Sequence, residues 1–403
     1  MTAPREPAAL PPFPTGLLRE DLRDFAGYSS ARTSAPDLPA RVWLNANEAA
    51  EASAVDPDGR LRRYPDPQPA GVRAALADHY GVPEQRVVVG RGSDEAIELL
   101  VRTLCRPGGD GVVITSPTFG MYAVSARLHG VPVHDVPCLE EQVSGAWRVD
   151  VDAVAARARE TGARLVFLAS PGNPTGATVP VPEVRRLVAA LADQAVVVLD
   201  EAYAEFAATP SLVTEAGPLP TLVVLRTLSK AHGLAGARVG VAVAHPDLVA
   251  VLRRVQAPYP VPRPVADLVE QALAPEATAR TRERVAATLA ARDRLAEVLA
   301  ASPLVSRVHP GEANFVLVRS PDPDALLARL TGRGIVVRDL RARPELADAV
   351  RVTVGSDAEI EAVAAALGPD TATGSAGRPE PTDTPLPDGA RTSRPPTPSR
   401  GPR

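Results

Sequence analysis

Six short, mostly apolar runs punctuate the chain between about residues 87 and 243, at 87–89, 112–115, 131–136, 165–169, 196–199 and 222–225. The stretches between them are longer and mixed in polarity, such as VRAALADHYG before the first run and DEAIELLVRTL after it. A run that is apolar at nearly every position suits a strand covered on both faces. Its alternation with helical stretches predicts a mostly parallel sheet with helices on either side. Past Pro258-Tyr259-Pro260 the pattern changes. Residues 264–300 read as long helices interrupted near Pro275, with Val285, Leu289, Leu295 and Leu299 forming an apolar face. Strand-like runs at 313–318, 334–338 and 349–355 follow, which predicts a smaller α+β domain.

The N-terminal part is less regular. Residues 1–16 are rich in Pro and Ala and are expected to be mobile, and 17–34 predict a short helix and a polar turn holding Tyr28 and Arg32. Residues 41–48, RVWLNANE, predict a strand ending in Asn45, Asn47 and Glu48; Trp147 to Glu160 predict a hinge and a helix. Tyr64 precedes Pro65, so its backbone is expected to be extended. Residues 369–403 hold almost no bulky apolar side chains and are expected to be disordered, because burial there cannot offset the entropy of ordering. The expected organisation is a partly mobile N-terminal arm (1–40), a first piece of the small domain with its loop (41–64), a large α/β domain (65–258), the rest of the small domain (259–368) and the tail (369–403). No internal repeat is present.

Composition narrows the function. With 403 residues and 45% hydrophobic content the chain can bury a large core, and with only 3% aromatics that core is filled by Ala, Val and Leu. A net charge of −4 gives no reason to expect a nucleic-acid or anionic-membrane partner. Cys105 and Cys138 match no metal-ligand spacing, so no metal is expected, and so few cysteines suit a reducing compartment. No apolar run reaches the roughly 18 residues of a membrane span, and the N-terminus lacks the pattern of a secretory signal. The cytoplasm is the expected setting.

The chemistry gathers between residues 195 and 240. The run at 196–199 delivers Asp200 and Tyr203, the run at 222–225 delivers Thr227, Ser229 and Lys230, and Arg238 follows. Ligands of open α/β sheets bind beyond the carboxyl ends of the strands. Taken singly, such a lysine is an ordinary surface residue and such an aspartate a helix cap. Together they match the needs of pyridoxal phosphate: a lysine for a Schiff base, a carboxylate against the pyridine nitrogen, a phenol for the ring oxygen, and hydroxyls with an arginine for the phosphate. Ser93 and Asp94 open a helix after GRG and can offer backbone N–H groups to an anion, or simply cap it. Phe119 suits stacking on a flat ring or core packing, and Asn173 sits at the tip of the turn SPGNPTG.

The strings VWLNANE, RRYPDPQP, GRGSDEAIELL, PTFGMYAVSA, SPGNPTG, VVVLDEAYAEF, LRTLSKAHGLAGARVG, APYPVPRPVAD, EANFVLV and RVTVGS resemble the pyridoxal-phosphate aminotransferases of the aspartate aminotransferase fold type. Within them the chain resembles the histidinol-phosphate aminotransferases from Tyr28 to about Gly368. The resemblance implies an α/β large domain with a seven-stranded, mostly parallel sheet plus a smaller α+β domain. It implies Lys230 as the covalent anchor, Asp200 at the pyridine nitrogen, and Asn173 and Tyr203 at the ring oxygen. Phe119 would stack on the ring, and Ser93, Asp94, Thr227, Ser229 and Arg238 would hold the phosphate. Tyr64 would reach the phosphate of a neighbouring subunit, so a homodimer is implied. Tyr28, Asn47, Arg338 and Arg351 would hold the substrates, histidinol phosphate and 2-oxoglutarate (or glutamate), in a step of histidine biosynthesis. The chain departs from the family after Asn47-Glu48, where Ala49-Ala50 and a longer loop replace an aromatic and a proline, and at Phe119, Gly172 and His232. His232 is expected to be structural. An aromatic-amino-acid aminotransferase and a decarboxylase of a phosphorylated amino acid share the same cofactor groups. A cofactor-sensing regulator would need an attached DNA-binding domain.

Overall fold

The computed structural model describes residues 9–29 and 42–368. The expectations for 1–8, for Arg32 and for the tail at 369–403 lie outside the described residues. The remaining apolar runs become strands: β1 (Val87–Gly90), β2 (Val112–Ile114), β3 (Val133–Asp135), β4 (Leu139–Glu140), β5 (Trp147–Arg148), β6 (Leu165–Ala169), β7 (Val196–Asp200), β8 (Leu222–Thr227) and β9 (Gly240–Val243). Seven of them form one sheet in the order β1-β9-β8-β7-β6-β2-β3. From β3 to β8 the pairs are parallel, whereas β9 runs antiparallel to both β8 and β1. A parallel return needs a crossover, usually a helix. The connection at 228–239 carries Lys230 and one 3-10 turn, Ala235–Ala237, so β9 comes back antiparallel.

Successive side chains of each strand enter opposite cores. Val197, Leu199, Val166 and Leu168 face one cluster, with helices Ala70–Tyr80, Val151–Thr161 and Val181–Ala190. Val196, Val198, Leu165 and Phe167 face the other, with Ser93–Leu104, Met121–Leu128 and Pro246–Val255. Full burial of each Val, Leu or Phe stabilises by about 1.5–3 kcal/mol before chain entropy is counted, so both faces of the central strands contribute.

Four local expectations are corrected. Phe13, Leu17 and Leu18 are buried in the second cluster, so residues 9–18 are docked rather than mobile. The helix expected within 17–34 shrinks to Glu20–Arg23. Leu18, Leu22 and Phe25 have helical spacing, but Leu18 is buried and Phe25 is exposed, so no continuous stripe is covered. Residues 42–48 form no strand: Val42 and Leu44 are exposed, and Asn47 has φ 54°. Side-chain bonds hold this segment instead of a ladder, with the Glu48 carboxylate accepting from Tyr64 N–H at 2.7 Å and from the Arg63 guanidinium. Trp147 is not a hinge, because β5 pairs with β4 in a two-stranded ribbon.

Beyond residue 258, helix Arg263–Ala272 ends before Pro275, which opens the 26-residue helix Pro275–Ala300. A second sheet joins β10 (Arg307–Val308), β11 (Phe315–Arg319), β12 (Arg338–Asp339) and β13 (Ala349–Thr353), antiparallel throughout, in the order β10-β11-β13-β12. The strand expected at 334–338 is reduced to β12. Gly334, at φ 74°, belongs to the turn closing helix Pro323–Thr331, where Ile335 N–H reaches the Leu330 carbonyl at 3.0 Å. The long helix serves two cores. Leu295 and Leu299 pack on the second sheet, while Val285 and Leu289 pack on the cluster around Tyr203 and Phe315.

Candidate active site

The register of the large sheet sets Asp200, the last residue of β7, beside Leu225 of β8 and Ala169 of β6. A cavity of about 280 Å³ opens at these strand ends. Asp200, Tyr203, Thr227, Ser229, Lys230 and Arg238 all line it. Ser93, Asp94, Phe119, Asn173 and Arg351 complete the walls.

Asp200 is buried, and its carboxylate makes no ion pair among the described residues, although Lys230 feels its charge. Its partners are the Tyr122 hydroxyl, donating at 2.7 Å, and the Ala202 N–H at 3.1 Å. Burial pushes its pKa up, and these two donors pull it back down. Tyr122 is held by stacking on Phe167, with centroids 4.7 Å apart and planes within 5°. Tyr122 also lines the cavity, and sequence reasoning missed its role. The one available signal was its spacing, three residues after Phe119 at a strand end.

Lys230 reaches into the cavity with Nζ 5.6 Å from the centre of the Tyr203 ring. Enclosure by protein lowers its pKa, and the positive charge of Arg351 lowers it further. Tyr203 packs edge-on against Phe315 at 5.3 Å, and burial pushes its pKa up to about 12.

At the far end, helix Ser93–Leu104 points its first N–H groups at the cavity. Gly240 permits this approach, because a Cβ there would lie 2.2 Å from the Gly92 carbonyl carbon and from Ser93 N. Thr227 Oγ1 bonds Ser229 Oγ at 3.0 Å and accepts from Ser229 N–H at 3.1 Å. Arg238 donates to the Asp94 carboxylate at 3.1 Å. The result is a nest of N–H, O–H and guanidinium donors.

The second sheet supplies the opposite wall. Arg351 on β13 donates to Asn173 Oδ1 and lies 5.0 Å from the centre of the Phe315 ring. Arg338 on β12 is directly opposite it in the ladder but does not line the cavity. Tyr28, Asn47 and Tyr64 also lie away from their own chain's cavity. Tyr64 is half-exposed and stacks on Tyr259 with centroids 4.7 Å apart.

Beneath the Lys230 loop lies a second polar cluster. Buried Arg226 pairs with Glu201 at 2.9 Å and Glu205 at 2.6 Å. His232 is buried edge-on to His79 at 5.2 Å, and neither ring nitrogen finds a partner among the described residues. Burial holds its pKa down at about 4.

Residues 32–367 match the aminotransferase class I and II family. The chain is similar to the histidinol-phosphate aminotransferase of Xanthomonas euvesicatoria pv. vesicatoria, 52% identical over 87% of this chain and 96% of that one. It is similar to the enzyme of the same name from Stenotrophomonas maltophilia, 52% identical over 87% of this chain and 95% of that one. Among solved structures it resembles histidinol-phosphate aminotransferase from Sinorhizobium meliloti in complex with pyridoxal-5'-phosphate, with a TM-score of 0.69 and 28% identity over 80% of this chain and 88% of that one.

Proposed function

The chain belongs to the class I and II aminotransferases, and from that premise we propose that it moves the amino group of L-histidinol phosphate to 2-oxoglutarate, using pyridoxal 5'-phosphate. The observation that carries this reading is a buried carboxylate that makes no ion pair among the described residues, Asp200, facing the same cavity as an enclosed amine, Lys230. The cofactor fits these residues. Its protonated ring nitrogen would supply Asp200 with an ion-pair partner, and its phosphate would meet the donors of Ser93, Asp94, Thr227, Ser229 and Arg238. Phe119 would lie against the ring, and Asn173 and Tyr203 would face its oxygen. When bound, it supplies an electron sink for the charge left at the substrate Cα after deprotonation.

The chain's own groups then do the acid–base work. Lys230, its pKa lowered by enclosure and by Arg351, takes the proton from the substrate Cα. Tyr122 and Ala202 donate to Asp200 and oppose the upward push of burial on its pKa, which favours its ionised form. Arg351 on the cavity wall would grip the anionic end of each substrate through forked hydrogen bonds, and Arg338, its ladder partner outside the lining, would add positive charge beside it. The resemblance adds Tyr28 and Asn47 to the substrate set, although neither lines its own chain's cavity.

We also infer a homodimer, in which Tyr64 serves the neighbouring cavity. Its position outside its own cavity and its exposure support this. The two free thiols, Cys105 and Cys138, support a reducing, cytoplasmic setting.

The test is a half-reaction followed by absorbance. Histidinol phosphate alone is expected to remove the band of the protein-bound cofactor, and 2-oxoglutarate to restore it. A band unmoved by histidinol phosphate but shifted by phenylalanine would make the chain an aromatic-amino-acid aminotransferase. Release of carbon dioxide without an oxo-acid would make it a decarboxylase.

A further inference from the structure

We propose that Arg343 is a specificity-determining residue, a third guanidinium beside Arg338 and Arg351 that recognises the second negative charge of a phosphate dianion on the amine substrate. The inference rests on the substrate reading above and adds to it a residue that neither the sequence motifs nor the strand-end geometry singled out.

It starts from how arginines of this sheet are paired. Arg319 on β11 bonds Glu140 and Asp348, and Arg341, just past β12, bonds Asp339 and Asp324. Those arginines serve the fold. Arg338, Arg343 and Arg351 have no carboxylate within ion-pair reach among the described residues. Arg338 and Arg351 are directly opposed in the ladder, where like charges are destabilising unless something anionic lies between them.

Arg343 belongs to the same group. It is half-buried, and its Nη1 donates to the Thr118 carbonyl at 2.6 Å, across 225 residues of chain. Thr118 is followed by Phe119, which lines the cavity. The other Nη lies beside Gly120, 4.0 Å from where a Cβ would stand. One bond to a carbonyl leaves the remaining donors of the guanidinium fork unused. Arg343 feels the carboxylate of Glu345, which makes no ion pair with it, and then the charge of Arg338, and its own charge is felt at Arg351. Arg351 is on the cavity wall, and Arg338 and Arg343 lie behind it outside the lining, close enough for their charges to be felt there; such a gathering of cations suits a polyanion better than a single carboxylate. A carboxylate carries one charge, whereas a phosphate ester carries close to two above its second pKa of about 6.

The experiment uses the full-length holoenzyme and the variants R343Q and R343K. R343Q is expected to raise KM for histidinol phosphate about ten-fold while kcat and KM for 2-oxoglutarate stay within about two-fold, the size set by one charge-assisted bond. R343K should fall between. The wild-type gain in affinity for histidinol phosphate as pH rises through about 6 should flatten in R343Q, because the dianion is no longer preferred. Equal loss for both substrates, a fall in kcat, or an unchanged pH profile would overturn the assignment and leave Arg343 as a strap on the Thr118 carbonyl. If wild-type enzyme does not turn over histidinol phosphate, the substrate reading fails on its own account. Competition by inorganic phosphate against glutamate then decides Arg343. An inhibition constant raised about ten-fold in R343Q supports it, and an unchanged constant overturns it.

Discussion

Asp200 and Glu201 are neighbours at the end of β7, and both are buried. Their surroundings differ in kind. Glu201 is saturated by the protein: Arg226 pairs with it, Ser211 Oγ bonds it, and Leu212 N–H donates at 2.8 Å. Asp200 receives only a phenol and one backbone N–H. One region has its charge closed by the fold. The other leaves a charge open toward a cavity, as does Arg351 on the opposite wall, which has no carboxylate partner among the described residues. Burying an unpaired charge is costly, so open charges mark where a ligand completes the structure, and closed ones mark where the fold holds itself together.

The largest expected effect tests the open region. Lys230→Ala should lower turnover at least about 10³-fold, since both the general base and the anchoring amine are lost, with little change in the denaturant midpoint. Comparable unfolding would erase the distinction between the two regions. The closed region should behave in the opposite way. Arg226→Met leaves Glu201 and Glu205 buried without a cation and should destabilise by about 3–5 kcal/mol. Urea melts of the protein with cofactor removed would show it, and a variant that melts normally but loses activity would reverse the assignment.

His232 sharpens the comparison through pH. Its pKa is held at about 4 in the fold and returns to about 6.5 on unfolding. Between those values the unfolded chain binds the extra proton, so stability is complete above about 6.5 and falls as pH drops toward 4. The His232→Phe variant should remove about 2–3 kcal/mol of that acid sensitivity. Midpoints at pH 7 and 4.5 that shift in parallel for both proteins would refute it. The smallest effect is expected at Tyr122. Tyr122→Phe removes one of the two donors to Asp200 and should weaken catalysis about ten-fold. The pH dependence of the bound cofactor's absorbance should move as Asp200 becomes easier to protonate. A tenfold loss with an unmoved spectrum would mean that only packing on Phe167 had changed.

Much of the fold was legible in the chain because its signals are local. Uniformly apolar runs located the central strands, Pro275 located the helix break, and the polar residues after 199 and 225 fell at strand ends because the runs before them did. The same reading went wrong where the outcome depended on partners elsewhere. RVWL opens like a strand, but the Asn-rich residues after it do not continue one and Glu48 is taken by Arg63 and Tyr64, and Phe13 found a core that its Pro-rich flanks gave no hint of.

The sequence by itself determined the floor of the cavity: Lys230, Asp200, Tyr203, Thr227, Ser229 and Arg238 lie at the ends of two adjacent strands and in the connections that follow β7 and β8, so short-range patterning was enough to gather them. The tertiary structure alone decided the rest. It gave Asp200 the hydroxyl of Tyr122 from 78 residues away, set Arg338 opposite Arg351, and brought Arg343 to Thr118. Hydrophobic periodicity reports which side of an element is buried, but not which side chain of another element will meet it there. That meeting is fixed by sheet register and by the packing of distant segments, which exist only once the chain has folded.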